Sequence, residues 1–404
     1  MVVLKTRFRN ITVSLAGVAV FAMVATAAVP RGVTETRPIS KVIPNHSNSS
    51  VSNVVPVYSP KTALKKVEPA PKNKLPKDFL QLKDKYKLST IPTYDGSYQL
   101  THPKVLYFEK GWNGYKYWMS MTPYPRGHDV YENPSILVSN DGNNWAAPEG
   151  LKNPVSGVPA DLKAGGHYSD PQLVMKGETM ELWYRYNPSL PNKGNKRLPN
   201  NAVNIYYRKT TTDGIHWTPA QKLLQSRDGH LSLCVNYEDN LYKTWYATYG
   251  GDLTYSESKD ALNWSAPVLC KVPLPKGLVP YHQDLIKNGS EYYLLQTAQK
   301  RANYTFQLFL LTSKDGIHFG DPQPIYPNKE TAMWKDISFY RSTLFVKDNK
   351  LEVYISMIIP RQKWYMTQIT LPLPKPIQEP EQKPEQNTVP QPVQEPAMQD
   401  MIAV

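Results

Sequence analysis

Ser139-Asn140-Asp141-Gly142-Asn143-Asn144-Trp145 is the first of four related heptads. The pattern returns as Thr211-Thr212-Asp213-Gly214-Ile215-His216-Trp217, as Ser258-Lys259-Asp260-Ala261-Leu262-Asn263-Trp264 and as Ser313-Lys314-Asp315-Gly316-Ile317-His318-Phe319. Each copy has a hydroxyl residue, Asp two places later, then Gly or Ala, and an aromatic in the seventh place. This is the chemistry of a hairpin turn: Asp accepts from backbone N–H groups ahead of it, Gly tolerates positive φ, and the aromatic folds back on its sheet. The role of the heptads is structural.

Three strand-like runs precede each copy. They are 105–108, 115–121 and 135–138 in the first unit, 171–175, 181–186 and 205–209 in the second, 231–237, 242–248 and 253–257 in the third, and 283–286, 292–297 and 306–311 in the fourth. A fifth unit, 343–346, 351–357 and 364–370, lacks the heptad. Five sheets of about four strands in radial repetition predict an all-β fold, a five-bladed β-propeller. A strand from the other end of the chain, expected at Tyr98 to Leu100, would complete the fifth blade. A β-sandwich with coincidental turns is the competing architecture.

The ends of the 404-residue chain read differently. Residues 1–29 carry Lys5, Arg7 and Arg9, an uncharged run from Ile11 to Val29, and Ala25-Thr26-Ala27 as a small-x-small site. This is the layout of a secretory signal, or of a membrane anchor if it is not cleaved. Residues 30–89 are expected to form a basic, Pro-rich, disordered linker, 90–371 the propeller, and 372–404 a disordered Pro/Gln/Glu tail. A secreted or cell-surface protein follows. Cys234 and Cys270 are too few for a disulfide framework; one bridge and two buried thiols both fit.

The formal charge is +13, but residues 1–90 hold 15 Lys and Arg against 4 Asp and Glu, so the folded body is only mildly basic. Without interleaved aromatics the linker does not suit nucleic acid. It suits an anionic wall polymer or a membrane surface, or is simply solvated.

In a propeller the inner strands start at one mouth, and the heptads lie on the opposite face. The starts read Thr101-His102-Pro103, Tyr168-Ser169-Asp170-Pro171, Asp228-Gly229-His230, Tyr281-His282-Gln283-Asp284 and Trp334-Lys335-Asp336. Acids and imidazoles converge there, joined by Asp129 and Glu132 from the loop 122–134. Aromatic rings beside acids are what sugars need, so a polysaccharide or glycan is the expected partner.

Asp170-Pro171, the Tyr-His-Gln-Asp at 281–284 and Tyr340-Arg341-Ser342 after Asp336 resemble the five-bladed propeller glycosidases of the arabinanase, xylosidase and levansucrase type, notably glycoside hydrolase family 43. The resemblance covers about 90–371. It implies three carboxylates at inner-strand starts, a general base, a general acid and a third that tunes the acid, here Asp170, Asp284 and Asp336. His102, Glu132, His167, Tyr168, Arg185, His282, Trp334 and Arg341 are the expected substrate contacts. Two departures stand out: His102 occupies the place of the family's base, and blade three reads Asp228-Gly229-His230 where the family has Glu. A glycosidase acting on an extracellular polysaccharide is therefore set against a non-catalytic glycan-binding or wall-associated propeller.

The heptads also resemble sialidase Asp-boxes, but Arg185 and Arg341 fall short of the arginine set a sialidase needs. No metal is expected, since no HExxH or paired CxxC spacing is present. No cofactor is implied, and a structural calcium in the axial channel stays compatible.

Overall fold

The computed structural model describes residues 63–68, 74–188, 203–227, 229–326 and 336–374. Blade one is β1 (Leu100–Trp112), β2 (Tyr115–Pro123) and β3 (Ser135–Ser139). Blade two is β4 (His167–Lys176), β5 (Thr179–Asn187), β6 (Asn204–Thr211) and β7 (Gln221–Ser226). Blade three is β8 (Leu231–Glu238), β9 (Leu241–Ala247), β10 (Leu253–Ser258) and β11 (Val268–Leu269); blade four is β12 (Leu278–Asn288), β13 (Glu291–Lys300), β14 (Thr305–Ser313) and β15 (Gln323–Pro324). In blade five, β16 (Ser338–Phe339) and β17 (Thr343–Lys347) both pair with β18 (Lys350–Ile359), whose other edge takes β19 (Lys363–Pro372). The inner strands β1, β4, β8, β12 and β17 touch in that order, and β17 touches β1, which closes the ring. The fold is the five-bladed propeller expected.

The four heptads form one turn repeated. Asp141 Oδ1 accepts from the N–H groups of Asn143 and Asn144, Asp213 from Ile215 and His216, Asp260 from Leu262 and Asn263, and Asp315 from Ile317 and His318, all at 2.8 Å. Each following residue has positive φ, from 67° at Ala261 to 79° at Gly214. These turns also join blades. Gly214 lies under the Trp118 ring of blade one, Trp245 of blade three donates to Gly316 O at 2.7 Å, and Tyr354 of blade five donates to Gly142 O at 2.7 Å. Ala261 is packed with Trp183 of blade two.

Two expectations are corrected. Ring closure does not use Tyr98 to Leu100, because Leu100 opens β1 opposite Pro123. The N-terminal chain instead bridges β19 one step earlier, where Leu88 pairs with Thr367 and the Ser89 N–H donates to Met366 O at 2.8 Å. The folded body also begins before residue 90. Helix α1 (Lys77–Tyr86) places Phe79, Leu82 and Tyr86 on one face at helical spacing, and Phe79 is fully buried against Tyr98 and Tyr365. The helix ends at Lys87, which turns left-handed. Lys65 also docks, its N–H donating to Gly114 O at 2.9 Å. The expected signal, most of the linker and nearly all of the tail lie outside the described residues.

Among the described residues blade one has no fourth strand, yet its edge is not open. Asn153 donates to Ile136 O and accepts from Ile136 N–H, and Ala146 exchanges both backbone bonds with Val138. An unpaired edge would invite aggregation, and this one is capped. Both cysteines are free and buried, so the bridge is ruled out.

A Cβ at position 214 would sit 2.1 Å from the Trp118 ring on a backbone of φ 79°. Gly214→Ala should therefore lower stability by about 2–4 kcal/mol through overpacking and backbone strain together. Ala261→Gly already has room and should stay within about 1 kcal/mol of wild type. Urea unfolding of both variants checks the pair, and equal stability of Gly214→Ala would refute the inter-blade seat.

Candidate functional site

The site is built by irregularity in the inner strands. The register of β1 against β2 shifts between Thr101 and Lys104, that of β4 against β5 between Ser169 and Gln172, and that of β8 against β9 between Leu231 and Cys234. Each bulge contains one non-glycine residue of positive φ at the same step: His102 at 54°, Asp170 at 50° and Ser232 at 50°. Such a bulge turns a side chain that would face the neighbouring blade toward the axis. Pro103 and Pro171, which follow, have no N–H to leave unpaired there.

Asp170 is at the centre. Its Oδ1 accepts from Ser232 Oγ at 2.6 Å and lies 3.4 Å from His102 Nε2, 3.5 Å from an Arg341 guanidinium nitrogen and 3.8 Å from His282 Nδ1. Its Oδ2 faces Arg185 Nε at 2.9 Å. Burial would raise this carboxyl, but Arg185, His102, His282 and Arg341 hold it well below the usual range, so it is ionised.

The imidazoles behave in the opposite way. Burial pushes His102 down to about 3 and His282 well below its ordinary value, against the pull of Asp170, so both are neutral. Ser232 Oγ bonds His282 Nδ1, and Thr122 Oγ1 lies 3.1 Å from His102 Nδ1. The two Nε2 atoms have no hydrogen-bond partner among the described residues.

Glu132 closes the group from the blade-one loop. Its Oε1 is 3.3 Å from His102 Nδ1 and its Oε2 is 4.0 Å from His167 Nε2. Burial, then the charges of Asp129 and Asp170, raise its carboxyl well above the ordinary range. Around the group stands an aromatic wall: Tyr340 is 4.3 Å from His282 and 5.4 Å from His102 between ring centroids, with Tyr281, Phe306 and Trp364 behind it.

Asp170, His102, Glu132, His167, Arg185, His282 and Arg341 are thus brought together. The other expected residues are not. Tyr168 packs edge-on against Tyr184 and Tyr186 within the blade core. Asp284 is fully buried one layer deeper, where Lys104 Nζ donates to it at 2.7 Å and Thr343 Oγ1 at 2.6 Å, tying blades one, four and five. This corrects the expectation of a free acid at the mouth, because the strand alternation that turns His282 inward sends Asp284 down the axis. Asp336 is exposed in the turn before β16 and is not among the residues that contact Asp170. Trp334 and Asp228 lie outside the described residues, and His230 stacks on Tyr246 at 3.8 Å.

Sequence reasoning gave no role to Ser232, to Thr122 or, beyond its place in a motif, to Tyr340. Aligning the bulges of blades one to three would have found Ser232, since it stands at the step occupied by His102 and Asp170. It also missed a ligand set: His102, Asp170 and His282 offer one atom each, all within 4.8 Å of one another and all buried. Local spacing motifs could not reveal a set drawn from blades one, two and four. Two neutral imidazoles with unpartnered Nε2 atoms beside one carboxylate are donors suited to a divalent transition ion. A separate cavity of about 1180 Å³ opens at the far face, lined by Lys104, Leu106, Met175, Asn236, Ile286 and Val346, away from this group.

No protein-family model matches the chain. Over 302 residues it is 27% identical to the A type blood N-acetyl-alpha-D-galactosamine deacetylase of Flavonifractor plautii, a match that covers 61% of this chain and 38% of that protein's length. A crystal structure of an N-acetylgalactosamine deacetylase from F. plautii with blood group B trisaccharide superposes with a TM-score of 0.57 at 21% identity, covering 70% of this chain and 93% of that one. An exo-1,5-alpha-L-arabinanase from a bovine ruminal metagenomic library gives 0.49 at 13% identity, over 69% of this chain and 94% of that one. At 21% identity the deacetylase structure speaks for the fold alone.

Asp284→Asn would leave the Lys104 ammonium buried without its counter-charge, and should cost about 3–5 kcal/mol. Asp336→Asn, exposed, should stay within about 0.5 kcal/mol. Thermal and urea unfolding compare the two, and an Asp284→Asn protein as stable as wild type would remove the strut.

Proposed function

We propose that this chain is a glycan-modifying hydrolase that removes an acetyl group from an acetamido sugar, and does not cut the glycosidic bond. The observation that carries the reading is that Asp170 and Asp284 are tied up in ion pairs with arginine or lysine, while Glu132 touches neither. Glycosidic cleavage needs two working carboxyls, one to protonate the leaving oxygen and one to act on carbon or water. Here Asp170 is committed to two arginines and a serine and Asp284 to Lys104, while Glu132 is a buried carboxyl of raised affinity for protons. The likeness to the deacetylase points the same way.

Amide hydrolysis needs one such group. In its ionised form Glu132 takes a proton from the attacking water, and its raised proton affinity favours that transfer; it then returns the proton to the nitrogen as the C–N bond breaks, leaving acetate and a free amine. His102 and His167 flank its two oxygens and orient it. Tyr340, whose hydroxyl burial keeps protonated, is a neutral donor beside the two imidazoles. His102, Asp170 and His282 would hold a divalent cation, which when bound supplies Lewis-acid polarisation of the acetyl carbonyl. The apolar run at Ile11 to Val29 supports work at or outside the cell membrane, on glycans met there.

The test uses N-acetylgalactosamine-terminated glycans, with released acetate, free amine and reducing sugar measured together. Acetate with equimolar amine and no reducing sugar is expected. Reducing sugar without acetate would restore the glycosidase reading, and binding with neither product would make the propeller a glycan-binding module. Glu132→Gln should lower turnover by about 10²–10⁴-fold with little change in melting temperature.

A further inference from the structure

All five exposed tyrosines among the described residues, Tyr94, Tyr131, Tyr249, Tyr304 and Tyr326, lie in the half of the propeller that carries the mouth. Tyr94 precedes β1, Tyr131 is in the Glu132 loop, Tyr249 and Tyr304 are in the β9–β10 and β13–β14 turns, and Tyr326 follows β15. On the far face the large exposed apolar side chains are aliphatic, Leu64 beside Gly111 and Leu262 in its heptad. Exposed aliphatic side chains stand on both faces, Val130 beside Tyr131 among them, so what sets the mouth apart is its rings.

Two of the five are fixed in place. The Tyr94 hydroxyl donates to Tyr131 O at 3.0 Å and accepts from Asn133 Nδ2 at 2.9 Å, so it hangs from the residue next to Glu132. The Tyr249 hydroxyl accepts from Asn204 Nδ2 at 3.0 Å, and Asn204 is fully buried. The Tyr249 carbonyl accepts from Arg301 at 3.2 Å, which locks its turn to the neighbouring blade. Tyr249 also lies near enough to Arg185 to act on its charge. With the hydroxyls satisfied inside the protein, what each residue offers to solvent is its ring. Holding an exposed ring still costs rotamer freedom without burial in return, unless something covers it.

We propose that Tyr94 and Tyr249 are stacking platforms for sugar units on either side of the one that enters the site, so that the ligand is an oligosaccharide or polysaccharide chain lying across the mouth. Tyr94 stands on the blade-one side and Tyr249 on the blade-three side, with Asp170 of blade two between them. The C–H faces of pyranose rings suit such surfaces, and a single sugar held at Glu132 would not need them. This deepens the reading of the mouth as a glycan site and rests on it.

The experiment compares wild type, Tyr94→Ala, Tyr249→Ala and the two Phe variants on an N-acetylgalactosamine-terminated tetrasaccharide and on methyl N-acetyl-α-galactosaminide. Affinity is measured by calorimetry in the Glu132→Gln background, and KM and kcat in the active protein. Each Ala variant should weaken tetrasaccharide binding and raise its KM by about 3- to 10-fold. The monosaccharide values and melting temperatures should stay unchanged, and the Phe variants should keep most of the affinity. Equal losses on both ligands, or no loss on the tetrasaccharide, would overturn the platforms. Failure of wild type to bind either ligand would instead remove the glycan reading beneath them.

Discussion

The carboxylate of Asp170 is where the five blades meet. It contacts His102 of blade one, Arg185 of its own blade, Ser232 of blade three, His282 of blade four and Arg341 of blade five. A lone buried carboxylate is costly, and this one is tolerable because two guanidiniums and a hydroxyl share it. Arg341 is itself fully buried and spends a second nitrogen on Gln172 at 2.6 Å. No blade can tilt without disturbing the pairing of a charge with no water to replace it.

A second axial layer repeats the principle below the first. Asp284 takes Lys104 from blade one and Thr343 and the Leu344 N–H from blade five, while the Leu285 N–H donates to Cys234 Sγ of blade three at 3.1 Å. The far rim is held differently, by heptad turns seated against aromatics of the preceding blade. Polar struts along the axis and aromatic seats at the far rim leave the mouth loops as the part of the ring free to vary. Glu132 belongs to one of those loops, between β2 and β3, and is not on an inner strand.

This division explains what the sequence could be made to say. The heptads are local: seven residues contain both the turn and its bonds, so Asp141, Asp213, Asp260 and Asp315 could be aligned by eye and the blade number followed. Asp170, His102, His282, Arg185 and Arg341 were legible because each stands beside an inner-strand start or its neighbour, and the mouth is where those starts converge. Asp284 misled for a reason of period. It is two residues past His282, on the same strand, and only the bulge at Tyr281 decides which of them reaches the mouth. Ser232 has no motif around it, and its bond to Asp170 spans 62 positions. Helix α1 was hidden by the lysines around it, although Phe79, Leu82 and Tyr86 keep helical spacing.

The same frame bears on why a propeller of this shape need not keep one chemistry. The resemblance to glycosidases rests on acids at inner-strand starts, yet a carboxylate there can act as a strut or as a catalyst, and its neighbours decide which. Two arginines on Asp170 lower its affinity for protons until it cannot exchange one near neutral pH. Glu132, without a cation in contact and with Asp129 and Asp170 near, is driven the other way. Asp170 is thereby held in the charged state, while Glu132 binds a proton more tightly than an ordinary carboxyl. The proposed removal of an acyl group from nitrogen asks for one such group, since it can carry the proton from water to the leaving atom. A glycosidic bond asks for two carboxyls free to act, and Asp170, held by Arg185 and Arg341, is not one of them.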